Sequence, residues 1–254
     1  MDDSRAPVHI AVTTCYKPSE THQARARVLS ERFAAPFVER RAFDALFAAT
    51  GATHLYVVGR EHEEVRARDG ACFVQEGLLA TKLHEGSLHP FVRALGPCTS
   101  LVDCTLGLAN DALHAAVTLR CSVLGVEGSL VIHALLEEGL PRLWASHAPG
   151  QQIDLVHGDA VDVLRGLKDQ SRDVVFLDPM MGRPGKSAPS FAVLRAFAIP
   201  ERASAELLRE AGRVARARVV LKLGKGAPVP ADAPLAFTHH EQGAHVTYWV
   251  HTRL

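Results

Sequence analysis

LVDCTLGLANDALHAAV, residues 101–117, reads as strand, tight turn and helix. A short apolar run closes on Asp103. The small-residue turn Cys104-Thr105-Leu106-Gly107-Leu108-Ala109 follows, and Asn110-Asp111 opens a helical pattern. In an open parallel sheet such a junction lies at the carboxyl end of a strand, where ligands bind. Gly107 lets the backbone approach a ligand closely. The turn holds one glycine instead of the three of G-x-G-x-x-G, which argues against a dinucleotide pyrophosphate.

The rhythm continues toward the carboxyl end. CSVLGVE (121–127) is a second strand, and Ser129 caps a helix expected to run through Glu138 and to stop at Gly139 and Pro141. IDLVHGD (153–159) is a third strand, followed by a short helix over 160–167. DVVFLDP (173–179) is almost wholly apolar, as a strand covered on both faces should be. A helix over 200–217, the strand RVVLKLG (218–224) and a hairpin around Gln242-Gly243 within 235–252 complete the pattern. Toward the amino end, VHIAVTT (8–14) and HLYVVG (54–59) are strands. Between them lie a helix capped by Ser19 or Thr21, an extended FVERR (37–41) and a short helix over 43–49. ACFVQEG (71–77) adds a further strand, and 82–97 is a connector with a short helix ended by Gly96-Pro97.

The expected fold is α/β: a Rossmann-like sheet, mostly parallel with an antiparallel C-terminal hairpin, plus a small N-terminal α/β unit. The expected division is 1–97 and 98–254. Arg25, Arg27, Glu31 and Arg32 share one side of the first helix, either as a solvated face or as a phosphate-contacting one. His84 and His89 in the connector are packed or solvated histidines, or pocket residues.

The chain has 254 residues, 47% of them hydrophobic, so a sizeable core is within reach. Lys plus Arg and Asp plus Glu both number 28, which gives no support to a large basic footprint. Five cysteines without a C-x-x-C spacing argue against zinc and disulfide frameworks, and a reducing cytoplasm is expected. The start MDDSRAPVHIAVTT lacks the features of a signal peptide, and no apolar run reaches the ~18 residues of a membrane span.

Three acids end three successive strands: Asp103, Glu127 and Asp159. In a doubly wound sheet those ends line one crevice. Glu127 lies 20 residues past Gly107, where a carboxylate can accept both hydroxyls of a ribose. Asp159 is placed to take an adenine amine, and Asp103 to help hold a ligand ammonium group. Each of the three is alternatively a turn residue or helix cap. The fourth strand ends in Asp178-Pro179-Met180-Met181, where proline fixes the backbone just after the acid. The carboxylate and nearby carbonyls can then be aimed at a flat amine, whose methylation needs placement and electrostatics more than a strong base. Arg183 and Lys186 follow in a basic loop suited to cover the crevice or touch phosphate.

VDCTLGLANDA, VLGVEGSLVIHALLEEGL, LVHGDAVDVL and VVFLDPMMGRPGKSA, in that order, resemble a class I S-adenosylmethionine-dependent methyltransferase. More narrowly they resemble the family of the bacterial ribosomal small-subunit methyltransferase J, which methylates the exocyclic amine of a guanine in 16S rRNA. The likeness is closest to a branch that begins with a VTT element, here Val12-Thr13-Thr14. The frame Asp103, Thr105, Gly107, Asp111 together with the Asp-Pro-Met corner carries the resemblance. It implies S-adenosylmethionine as cofactor, bound by Asp103, Thr105, Gly107, Asp111, Glu127 and Asp159. It also implies Asp178, Pro179 and Met180 at the reacting amine, Arg183 and Lys186 on RNA, and no metal. Met181 stands where an aromatic residue is usual in the family, and Gly182 replaces its second proline. A small-molecule or protein acceptor, and a non-catalytic cofactor-binding module, are the competing readings.

Overall fold

The computed structural model describes residues 7–77, 79–179, 189–199 and 203–253. Along the chain come β1 (Ile10–Thr14), α1 (Glu20–Arg32), α2 (Phe43–Thr50), β2 (His54–Val58), β3 (Glu63–Arg66) and β4 (Ala71–Cys72). Next are α3 (Leu79–Glu85), a 3-10 turn (Gly86–Leu88), α4 (Pro90–Leu95), β5 (Ser100–Asp103), α5 (Asn110–Leu119), β6 (Ser122–Glu127) and α6 (Leu130–His147). Then follow β7 (Ile153–His157), α7 (Ala160–Arg165), β8 (Arg172–Leu177), α8 (Pro189–Phe197), α9 (Ala205–Val214), β9 (Ala215–Gly224), β10 (His239–Gln242) and β11 (Val246–Thr252). Among the described residues no helix is long and apolar enough to cross a membrane.

Two compact units result. One comprises the described residues of 1–75, 130–142 and 184–198, and the other those of 76–129, 143–183 and 199–254. The first is built on a four-stranded sheet ordered β1-β2-β3-β4, with β1 and β2 parallel and the other pairings antiparallel. β3 has no counterpart in the sequence reading, because EEVR carries no apolar alternation. Its charges are matched inside the unit: Glu63, 5% exposed, accepts from Arg25 and from the Tyr56 hydroxyl. Arg25 and Arg32 also pair with Glu137 on α6. These two arginines therefore form structural ion pairs instead of an open phosphate-binding face. The expected strand over 71–77 shrinks to Ala71–Cys72.

α6 overturns the expected stop at Gly139 and Pro141, running through both to His147. Proline removes one i→i−4 hydrogen bond but leaves the remainder of the helix in place. Gly139 serves packing: a Cβ there would lie 2.5 Å from the Val74 Cβ. α8 went unpredicted, and the helix expected over 200–217 spans only Ala205–Val214 before the chain turns into β9.

The second unit holds a seven-stranded sheet ordered β10-β11-β9-β8-β5-β6-β7, parallel from β9 to β7 and antiparallel at β10 and β11. This is the expected Rossmann-like sheet with its terminal hairpin. Val102, Val126, Val175, Leu177, Val219 and Leu221 face one side and pack with Leu164 of α7 and Leu207, Leu208 and Ala211 of α9. Phe176 lies on the opposite side, its ring 5.0 Å from Phe91 of α4. Both faces of β8 are covered, which explains its unbroken apolar run.

Candidate active site at the strand ends

β5 lies between β6 and β8 in the sheet of the second unit. The chain proceeds from β5 to β6 and β7 on one side, then returns to β8 on the other. The strand order reverses there, and the ligand crevice of an open parallel sheet lies outside the carboxyl ends at that reversal. Asp103 ends β5, Glu127 ends β6, and Asp178 directly follows β8.

Backbone hydrogen bonds of the Cys104–Ala109 turn stitch it to both neighbouring strands. Cys104 N–H donates to the Phe176 carbonyl of β8 at 3.0 Å, and Leu106 N–H to the Val126 carbonyl of β6 at 3.0 Å. Side chains extend the lattice. Thr105 N–H donates to Asp103 Oδ1 at 3.0 Å, and the Thr105 hydroxyl accepts from Asp178 N–H at 2.7 Å. Gly107 N–H donates to Glu127 Oε2 at 3.0 Å, and Ser129 N–H to Glu127 Oε1 at 2.7 Å. One hydrogen-bonded frame thus joins Asp103, Thr105, Gly107, Glu127 and Asp178. Gly107 has φ +55°, the left-handed region that favours glycine, and a Cβ there would meet nothing nearer than the Thr105 carbonyl oxygen at 3.9 Å.

A buried charge cluster sits beside this frame. Lys222, near the carboxyl end of β9, reaches Asp178 Oδ2 at 2.7 Å and Asp111 Oδ2 at 2.8 Å. Lys82 of α3 takes Asp111 Oδ1 at 2.6 Å. Burial pushes the Asp111 carboxyl up, yet the two ammonium groups overcome it and hold the group below the usual aspartate range. For Lys222, burial opposes the charge, but Asp111 and Asp178 raise its pKa well above the ordinary value. Asp178 is half-buried; desolvation raises its pKa, with Lys222 opposing and Asp111 reinforcing. Tyr248 of β11, opposite Lys222 in the strand register, is buried and has its hydroxyl pKa raised by desolvation.

Asp103 and Glu127 form no ion pair of this kind among the described residues. Asp103 is 1% exposed, and no cation lies within ion-pair distance among the described residues. Burial pushes its pKa up to about 8. Glu127 is likewise raised by burial to about 7, against the lowering effect of its two backbone donors.

Of the residues singled out in the sequence, Asp103, Thr105, Gly107, Glu127, Asp178 and Pro179 come together at the ends of β5, β6 and β8, and Asp111 adjoins them through Lys222. Asp159 is exposed and caps α7, its Oδ1 accepting from Val161 N–H at 2.8 Å and Asp162 N–H at 3.2 Å. Met180, Arg183 and Lys186 lie outside the described residues. His89 caps α4 through Phe91 N–H, with its ring 4.6 Å from that of His114, so it is a packed histidine. Lys82 and Lys222 were missed. Lys222 was legible in principle, because a lone lysine inside VVLKL must find a partner wherever the strand is buried on both faces. Among the described residues no cluster of His, Cys, Asp and Glu is arranged to hold a metal ion.

The family described as "Putative SAM-dependent methyltransferase" matches residues 73–244 of the chain. An uncharacterized protein, YpiP, of Bacillus subtilis is 32% identical over 225 residues, covering 83% of this chain and 87% of that one. Ribosomal RNA small subunit methyltransferase J of Chromobacterium violaceum is 31% identical over 240 residues, covering 87% and 90%. In fold, the chain is similar to the crystal structure of a SAM-dependent methyltransferase from Neisseria gonorrhoeae, with a TM-score of 0.65, 19% identity and 95% of each chain covered.

Proposed function

This chain belongs to the S-adenosylmethionine-dependent methyltransferase family, and we propose that it methylates an exocyclic amine, the N2 of a guanine in 16S rRNA. The strand-end residues suit the cofactor. Asp103 is a buried carboxylate with no ion pair among the described residues, and a cationic ligand relieves that cost. The sulfonium and ammonium groups of S-adenosylmethionine are such cations. Glu127 is fixed by two backbone N–H groups, and each of its oxygens retains a second lone pair for a ribose hydroxyl. The space around Gly107 leaves room for the ligand. S-adenosylmethionine supplies the electrophilic methyl carbon.

The observation that carries the amine assignment is the state of Asp178. Lys222 ties up Oδ2, and Oδ1 has no hydrogen bond among the described residues. Oδ1 can therefore accept one N–H of a planar amine and orient its lone pair toward the methyl carbon. As the N–C bond formed, the S–C bond of the donor would break and S-adenosylhomocysteine would leave, and the proton of the now acidic amine nitrogen would pass to Asp178 Oδ1. The raised pKa of Asp178 suits that transfer. Pro179, with no N–H, adds no competing donor of its own at the corner.

The rRNA acceptor rests on the relative from Chromobacterium violaceum, whose name assigns it to small-subunit ribosomal RNA. The cytoplasm is the compartment this reading requires. Labelled methyl transfer to 16S rRNA by the purified protein, followed by nucleoside mass analysis, tests the reading. N2-methylguanosine carrying the label is expected. Label in another nucleoside, or none in RNA, contradicts it.

A further inference from the structure

The sheet of the first unit has its own strand-end crevice. From β1 the chain passes through α1 and pairs at Phe37 with Val12 on one flank of β1; after α2 it enters β2 on the other flank. The helices cover opposite faces. Phe33, at the end of α1, packs its ring 5.2 Å from that of Tyr56, whereas Leu46 and Phe47 of α2 pack with Ala11, Leu55 and Val57. The order is therefore second-first-third, and the connections diverge at β1, the kind of switch point where doubly wound sheets bind ligands. A cleft of about 560 Å³ opens at that place, lined by residues 15–17 after β1, 59–62 after β2, Val57 and Glu64.

Its chemistry is aromatic and cationic. Tyr16 is 57% exposed, with the Arg40 guanidinium 4.3 Å from its ring centroid. Arg40 also lies 3.7 Å from Phe43, whose ring carries Arg66 at 4.6 Å, giving an alternating stack of rings and guanidinium groups. Lys17 adopts φ +50°, which is costly for a residue with a Cβ. Arg60 donates to the Tyr16 and Lys17 carbonyls at 2.8 and 3.2 Å and so holds that turn. Of the two lining acids, Glu64 is taken by Arg66 at 2.8 Å, which leaves Glu61 against Lys17 and Arg60. An exposed ring beside two cations is how proteins hold an unpaired nucleotide.

We propose that this cleft binds one unpaired nucleotide of the RNA acceptor, its base on Tyr16 and its phosphate between Lys17 and Arg60. The proposal rests on RNA being the substrate. The test is filter binding of 16S rRNA to the full-length protein over a range of salt, for wild type, Tyr16→Ala, Tyr16→Phe and Lys17→Ala, with cofactor affinity measured alongside. Tyr16→Ala should weaken RNA binding about tenfold, while Tyr16→Phe, which keeps the ring, stays within about twofold. Lys17→Ala should reduce the slope of log affinity against log salt by about 0.7. Cofactor affinity should not move. Wild-type protein with no RNA affinity would overturn the RNA reading and this site with it. RNA binding that is intact in both alanine variants would overturn this site alone.

Discussion

Replacing Asp178 by alanine is expected to lower kcat by about 10²–10³, the range seen when one aimed hydrogen-bonding group is removed from a reacting centre. Cofactor affinity should stay within about twofold, because the ligand is assigned to Asp103 and Glu127 and not to Asp178. The split follows from geometry. Asp178 N–H is anchored on Thr105, and its Oδ2 is anchored on Lys222, so the carboxyl group presents a fixed oxygen. Without that oxygen the amine keeps its nucleophile but loses its orientation and its proton acceptor. Asp178→Asn, which keeps an acceptor oxygen but cannot readily take a proton, should fall between the two. Steady-state kinetics with a saturating methyl donor, paired with calorimetric cofactor binding, read both quantities. An alanine variant with kcat within threefold of wild type would show that Asp178 does not orient the amine.

Lys222→Met is expected to destabilise the protein by about 3 kcal/mol, the low end of the range for breaking a buried pair. Asp111 keeps Lys82, and the Asp178 side chain is 35% exposed, so solvent screens part of the loss. That corresponds to a melting temperature lower by roughly 6–12 °C. The pH dependence has a definite sign. The folded pKa of Lys222 is raised, so its contribution is fully present below the ordinary lysine value of 10.5 and is lost only as pH rises through the folded value. The folded pKa of Asp111 is depressed, so its contribution is present above the ordinary aspartate value of 3.8 and is lost as pH falls through the folded value. The part of the deficit that comes from the Lys222–Asp111 pair should therefore be level between about pH 6 and 9. Adding Asp111→Asn to Lys222→Met should recover part of the loss, because it removes one of the two acids left facing each other. Melting curves across pH for the single and double variants measure this. A single variant that melts within about 2 °C of wild type would mean that the cluster contributes little.

How much was legible in the chain depends on how local the signal was. Asp103, Glu127 and Asp178 each close an apolar strand, so composition alone placed them at strand ends, and the parallel sheet brought those ends together. Asp159 carried the same local signal, yet it sits at the start of α7 with its carboxylate on the helix N–H groups. The sequence pattern cannot distinguish a cap from a ligand-facing acid. Lys82 meets Asp111, 29 residues away, by the packing of α3 near α5, and nothing in its own neighbourhood announces that. β3 was hidden because its buried acid Glu63 is satisfied by Arg25, 38 residues away, and by Tyr56 of the adjacent β2. Gly139 and Pro141 carry strong stop signals, and tertiary packing against Val74 overrode them.

The acids ending β5 and β6 are assigned to hold the methyl donor beside Asp178. A crystal structure with S-adenosylhomocysteine bound measures this directly. Both ribose hydroxyls are expected on Glu127, the ligand amino group near Asp103, and the sulfur facing the Asp178 carboxylate. A nucleoside seated away from Glu127, or a sulfur turned away from Asp178, would contradict it.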